Sequence, residues 1–295
     1  MSNPIFTGVA TALITPMNKD GSINFDKLAE LVDFQIENGV AAIAASATTG
    51  EGSTLEHQEH LDVIKKVIEV ANHRVPVIAG TGSNDTAYAV ELSNESEQLG
   101  ADALLMVTPY YNKTSQKGLI EHYKYISERV STPIILYNVP SRTGTNILPE
   151  TYKELAKIKN VSAIKEAGGN ISEVAKTVSL CKDELTLYSG NDDQVLPIVS
   201  LGGKGVISVF SNMAPKIMSD LCNKALAGDF SGALEIQNKV LDVMNNMFID
   251  VNPIPIKEAM NLAGFNVGGC RLPLCSTTPE KLEKIKASMI CAGLL

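Results

Sequence analysis

Residues 161–170 read VSAIKEAGGN. Val161, Ala163 and Ile164 are the vocabulary of a buried strand, yet Lys165 follows inside the same apolar run. Desolvation disfavours an ammonium ion and lowers its pKa. A neutral amine is a nucleophile: it attacks a ketone, forms an imine, and the imine then serves as an electron sink. Such chemistry needs proton carriers and a grip for an anion. Tyr137 in PIILYN, Thr49 in ATTGEG and Tyr111 in TPYYN offer hydroxyls. Arg142 in VPSRTG offers a guanidinium that can clamp a carboxylate through two hydrogen bonds. Each has a plainer reading beside it. Tyrosines hydrogen-bond at the rims of folds, threonines cap helices, and an arginine on a turn is usually solvated.

Other chemistry-bearing residues fit simpler readings. GGKG at 202–205 has no Ser or Thr after its lysine, so it reads as a tight turn into a strand and not as a phosphate loop. His57 and His60 stand three apart in EHQEH, which lacks the HExxH order of a zinc protease, and read as a solvated helix face. The cysteines at 181, 222, 270, 275 and 291 form no CxxC pair and have no neighbouring His; reduced thiols are expected. No metal constellation is visible.

The elements that must position these residues alternate along the chain. Short β-rich runs at 8–14, 40–46, 75–80, 103–107, 133–138, 161–165, 184–189 and 205–209 are separated by segments of helical period. Leu61, Ile64 and Ile68 share one face, with Ser53 and Glu56 spaced as a capping box before them. A second helix starts at Asn84 or Asp85 and stops at Gly100, and Pro133 ends a third. Eight such units without hairpin turns predict an α/β fold, a (β/α)8 TIM barrel. An open doubly wound sheet would want a GxGxxG turn after its first strand, which is missing. Beyond about residue 210 only helical pattern remains. The chain therefore divides into a barrel at 1–228 and a C-terminal helical appendage at 229–295. In such a barrel the site lies at the C-terminal ends of the strands, where Thr48, Thr49, Tyr111, Tyr137 and Lys165 all fall.

The 295 residues are 44% hydrophobic and 20% charged, with a net charge of −8. An acidic balance argues against nucleic acid or an anionic membrane as partner. No apolar run is long enough to span a bilayer and no signal peptide opens the chain, so a cytoplasmic location is expected.

The stretches ATTGEGSTL, TPYYNKTSQ, LYNVPSRTG and IKEAGGN resemble the motifs of the dihydrodipicolinate synthases, within the N-acetylneuraminate lyase family of class I aldolases. The resemblance runs through GVISV and NPIPIKEA to the terminal AGLL. It implies pyruvate and aspartate semialdehyde as substrates, with no metal or organic cofactor. Lys165 would form the imine with pyruvate, and Tyr137 would pass protons. Thr49 would link Tyr137 to Tyr111, which in this family crosses a dimer interface into the neighbouring subunit's site; a homodimer or homotetramer follows. Thr48 would hold the pyruvate carboxylate, Gly190 and Ile207 would line its pocket, and Arg142 would bind the carboxylate of the second substrate. Three departures stand out: Ala47 where the family usually has Gly, Thr114 where it often has Pro, and Tyr88. His57, His60, Asn84 and Tyr110 match an inhibitory lysine site of related enzymes, but Tyr88 stands where those have a glutamate, so weak or differently built lysine inhibition is expected. Sibling aldolases acting on N-acetylneuraminate or 2-keto-3-deoxy sugar acids share Lys165 and Tyr137 but not Arg142 in this loop. A barrel that senses a keto acid without turnover would show a damaged catalytic set, and this set is complete.

Overall fold

Eight parallel strands close on themselves in sequence order. They are β1 (Gly8–Ala12), β2 (Ala42–Ala45), β3 (Val77–Gly80), β4 (Ala103–Val107), β5 (Ile134–Asn138), β6 (Val161–Glu166), β7 (Thr186–Ser189) and β8 (Gly205–Ser208). The computed structural model describes residues 4–295. Helices return the chain outside the barrel: α1 (Phe25–Glu37), α2 (His57–Ala71), α3 (Thr86–Leu99), α4 (Gln116–Ser127), α5 (Pro140–Thr143), α6 (Pro149–Leu155), α7 (Ile171–Cys181), α8 (Val195–Ser200) and α9 (Pro215–Leu226). Three more follow, α10 (Phe230–Asn246), α11 (Ile254–Leu262) and α12 (Pro279–Cys291).

Two apolar layers hold this arrangement. Strand positions alternate between them, as a period of two requires. Ala10, Ala12, Ala42, Ala44, Ile135 and Ala163 belong to the inner cluster. The alanines of β1 and β2 leave room there for Tyr137 and Tyr188. Phe6 stacks on Tyr188 with centroids 4.1 Å apart, and the Tyr188 hydroxyl donates to the Phe6 carbonyl at 2.8 Å. The outer cluster joins strands to helices, and it runs on without a break through Met244 and Met247 to Ile256, Ile285 and Met289.

Every strand end lies within two residues of its predicted place, and several departures have local causes. Asp85 caps α3 by accepting from the Ala87 N–H, and Gly100 closes it in the left-handed region. The capping box of α2 is made by Glu56 and Glu59, three residues later than the expected Ser53 and Glu56, because residues 52–54 form a 3-10 turn. β1 ends at Ala12, short of residue 14, since the Ile14 N–H is taken by Asn212 Oδ1 at 2.9 Å. GGKG is the turn into β8: a Cβ on Gly205 would sit 1.8 Å from the Gly8 carbonyl oxygen, so only glycine fits where β8 meets β1.

Candidate active site

Parallel register sets the centre of the site. Tyr137 on β5 pairs with Lys165 on β6, which pairs in turn with Tyr188 on β7. Lys165 is 3% exposed, and its Nζ lies 4.2 Å from the centroid of the Tyr137 ring. Burial brings the amine down to about 7; the Asp192 charge opposes this and the Arg142 charge adds to it. Burial pushes the Tyr137 phenol up, against the Arg142 charge and the Thr48 side chain. A cavity of about 340 Å3 opens over this pair, bounded by Thr49, Arg142, Gly190 and Asn252. Exposed Phe248 and Val251 form its rim.

The turn after β2 is held from several sides. Glu51 sits in the left-handed region at φ +56°, buried, with Oε1 2.5 Å from Lys257 Nζ. Glu51 Oε2 accepts from the Arg271 N–H at 2.8 Å, and Lys257 also donates to the Gly269 carbonyl at 2.7 Å. Gly52 packs so closely that a Cβ would lie 2.1 Å from the Ser46 carbonyl oxygen. His60, expected on a solvated face, is 5% exposed instead; its Nε2 lies 2.7 Å from the Gly80 carbonyl, so the ring braces the turn. Burial lowers its pKa, against the Gly80 and Gly52 carbonyls.

The two threonines, which the resemblance implied as Thr49 beside Tyr137 and Thr48 on the pyruvate carboxylate, have different surroundings. Thr48 is the one that acts on the Tyr137 phenol. Thr49, buried, faces the Lys165 cavity and accepts from Asn252 Nδ2 at 3.0 Å. The cause is the turn itself, which sends successive side chains in different directions. Arg142 stands at the mouth on α5 and donates to the Asn252 carbonyl at 3.1 Å. Gly190 lines the cavity, and a Cβ there would meet Ala167 at 2.7 Å. Ile207 is fully buried in the inner cluster below. Tyr111 is not brought into this chain's cavity: it is 92% exposed at φ +66°.

The remaining candidates separate. A second cavity of about 350 Å3 shares Tyr137, Val139 and Arg142 with the first, and His60, Tyr88 and Tyr110 also line it. His57 Nδ1 is 3.3 Å from the Tyr88 hydroxyl and its Nε2 is 2.8 Å from Glu95 Oε2. Asn84 lines a different cavity. Asn252, Asp192, Glu166 and Lys257 went unmarked in the sequence reading. Glu166 is held by Asn138 Nδ2, the Tyr152 hydroxyl and the Gly168 N–H, and burial raises its pKa.

The Dihydrodipicolinate synthetase family matches residues 5–291 of the chain. The chain belongs to this family. Among family members, it is 52% identical over 295 residues to the 4-hydroxy-tetrahydrodipicolinate synthase of Acetivibrio thermocellus, covering 100% of both chains. It is 54% identical over 291 residues to that of Caldicellulosiruptor saccharolyticus, covering 99% of this chain and 98% of the other. The chloride-inhibited dihydrodipicolinate synthase from Acinetobacter baumannii, complexed with pyruvate, superposes with a TM-score of 0.96 at 43% identity, over 98% of this chain and 99% of that one. Among the described residues no helix is long and apolar enough to cross a membrane.

Proposed function

We propose that this chain condenses pyruvate with aspartate 4-semialdehyde to 4-hydroxy-tetrahydrodipicolinate through an imine on Lys165. One observation carries the reading: a dry amine brought down to about 7, against the ring of Tyr137, at the floor of a cavity. The Lys165 amine attacks the pyruvate ketone, and loss of water gives the imine. Loss of a methyl proton gives an enamine, whose carbon attacks the aldehyde. The amino group of the second substrate then adds to the imine carbon, closes the ring and frees Lys165. Tyr137 passes the protons, with Thr48 as its hydroxyl partner and Tyr111 arriving from a second subunit. Thr49 holds the pyruvate carboxylate beside Gly190, over Ile207. The assembly is a homodimer or a pair of dimers. Five free cysteines suit a reducing cytoplasm. Assaying pyruvate with aspartate semialdehyde or with N-acetylmannosamine tests the substrate. Turnover of the former alone is expected; preference for the latter would make the chain a sugar-acid aldolase.

Arg142 has two effects, and they can be measured apart. Arg142→Ala is expected to raise KM for the aldehyde roughly 10- to 100-fold, by removing its carboxylate clamp. It also removes a charge that holds the Lys165 pKa down, so the acid limb of the pH profile moves to higher pH. Arg142→Lys keeps the limb near its original place.

Tyr88 bears on regulation. It stands between His57 and the second cavity and brings a phenol where related enzymes bring a carboxylate. Free lysine at millimolar concentration is expected to leave the rate nearly unchanged; potent inhibition in the same assay would refute this.

A further inference from the structure

We propose that Asp192 is the counter-charge of the reacting amine: its buried carboxylate, on the turn leaving β7, stabilises the cationic imine on Lys165. The inference rests on the imine reading above and adds a residue to it.

Asp192 is 2% exposed. Its Oδ2 accepts from the Val209 N–H at 3.1 Å and the Phe210 N–H at 2.9 Å. Its Oδ1 has no hydrogen-bond partner among the described residues. A buried carboxylate with an idle oxygen is costly unless a positive charge answers it. Val209 and Phe210 account for one oxygen; the Ser208 side chain and the Lys165 charge also favour the ionised form, against burial, which raises the Asp192 pKa. β7 runs beside β6, and Gly190, Asn191 and Val209 line the cavity that holds Lys165. Asp192 follows this wall directly and faces a smaller cavity of about 280 Å3 behind it.

The other groups around Lys165 do not supply that charge: Asp250, which lines the same cavity, is already paired with Lys281 Nζ at 2.8 Å. Tyr137 from β5 is neutral and pushed up, Tyr188 from β7 is pushed up to about 12, and Arg142 from α5 is cationic. Glu166, next on β6, is the strand neighbour of Lys165 and is engaged by Asn138, Tyr152 and Gly168 on the opposite face. Asp192 is the carboxylate whose field reaches the amine, and each raises the other's preference for charge. Forming the imine converts a neutral amine, a ketone and a proton into a cation and water. That cation is created in a dry site, where an opposite charge fixed in advance is worth most.

Asp192→Asn separates this role from capping, because the amide oxygen still accepts from Val209 and Phe210. The test is borohydride trapping of the pyruvate adduct across pH, read by mass, with kcat and thermal melting measured on the same preparations. Losing the negative charge is expected to shift both limbs of the trapping profile to lower pH, opposite to Arg142→Ala, and to lower kcat about 10- to 100-fold. The melting temperature stays near that of the wild type. Asp192→Glu, which keeps the charge, returns the limbs toward their original positions. If wild type is trapped and Asp192→Asn gives the same limbs, the inference is overturned while the imine reading stands. If Asp192→Glu and Asp192→Asn shift the limbs equally, geometry and not charge is at work, and the inference is again overturned. If wild type yields no adduct at all, the imine reading fails and takes this inference with it.

Discussion

Lys165→Ala is expected to lower kcat for the condensation by about a thousandfold or more, because no other group can form the imine. The fold should survive. The Lys165 side chain packs against Tyr137, so its loss leaves a small cavity in the inner layer, and Asp192, left without the amine, can take up a proton. Steady-state turnover beside a thermal melt distinguishes the two quantities. Turnover near the normal rate in a folded variant would remove Lys165 from the reaction. An unfolded variant would mean that the residue is structural first.

A second large effect is expected far from the reacting atoms. Lys257→Met should destabilise the chain by about 3–5 kcal/mol, because it leaves the buried Glu51 carboxyl without its cation, beside the Arg271 N–H. The Gly269 carbonyl loses its donor as well. Adding Glu51→Gln to Lys257→Met removes the stranded charge and should recover much of the loss, since the pair is coupled. Glu51 ends the turn that carries Thr48 and Thr49, so KM for pyruvate should rise in Lys257→Met and fall back in the double variant. Denaturant melts and pyruvate titrations measure both. Equal stability of the wild type and Lys257→Met would show that the ion pair does not hold the turn.

The architecture was legible because its signals are local. Apolar runs of strand length, separated by helical period and closed by caps such as Asp85 and stops such as Gly100, leave few alternatives to a barrel. The chemistry was legible at Lys165 for the same reason: a charged residue in a buried run is conspicuous. Lys257 carries that signal too, lying among Ile254, Ile256, Ala259 and Met260. It went unread because its partner, Glu51, is 206 positions away in sequence and nothing local connects them. Asp192 and Asn252 are hidden differently. Both sit in polar, loop-like stretches where solvated carboxylates and amides are ordinary, and only the closed barrel buries them. His60 is buried although His57, three residues before it on the same helix, is half-exposed. The helix face turns inward there, and the ring braces the turn after β2. The different surroundings of Thr48 and Thr49 have a similar origin, since spacing places a turn at the strand end but not the direction of each side chain within it.

The whole account depends on where a covalent bond forms. Incubating the protein with pyruvate, reducing with borohydride and mapping the modified peptide by mass spectrometry locates it. The account predicts one adduct, on the peptide carrying Lys165, and inactivation in step with its formation. An unmodified Lys165 peptide in a protein that still turns over pyruvate, or an adduct on another lysine, would contradict it.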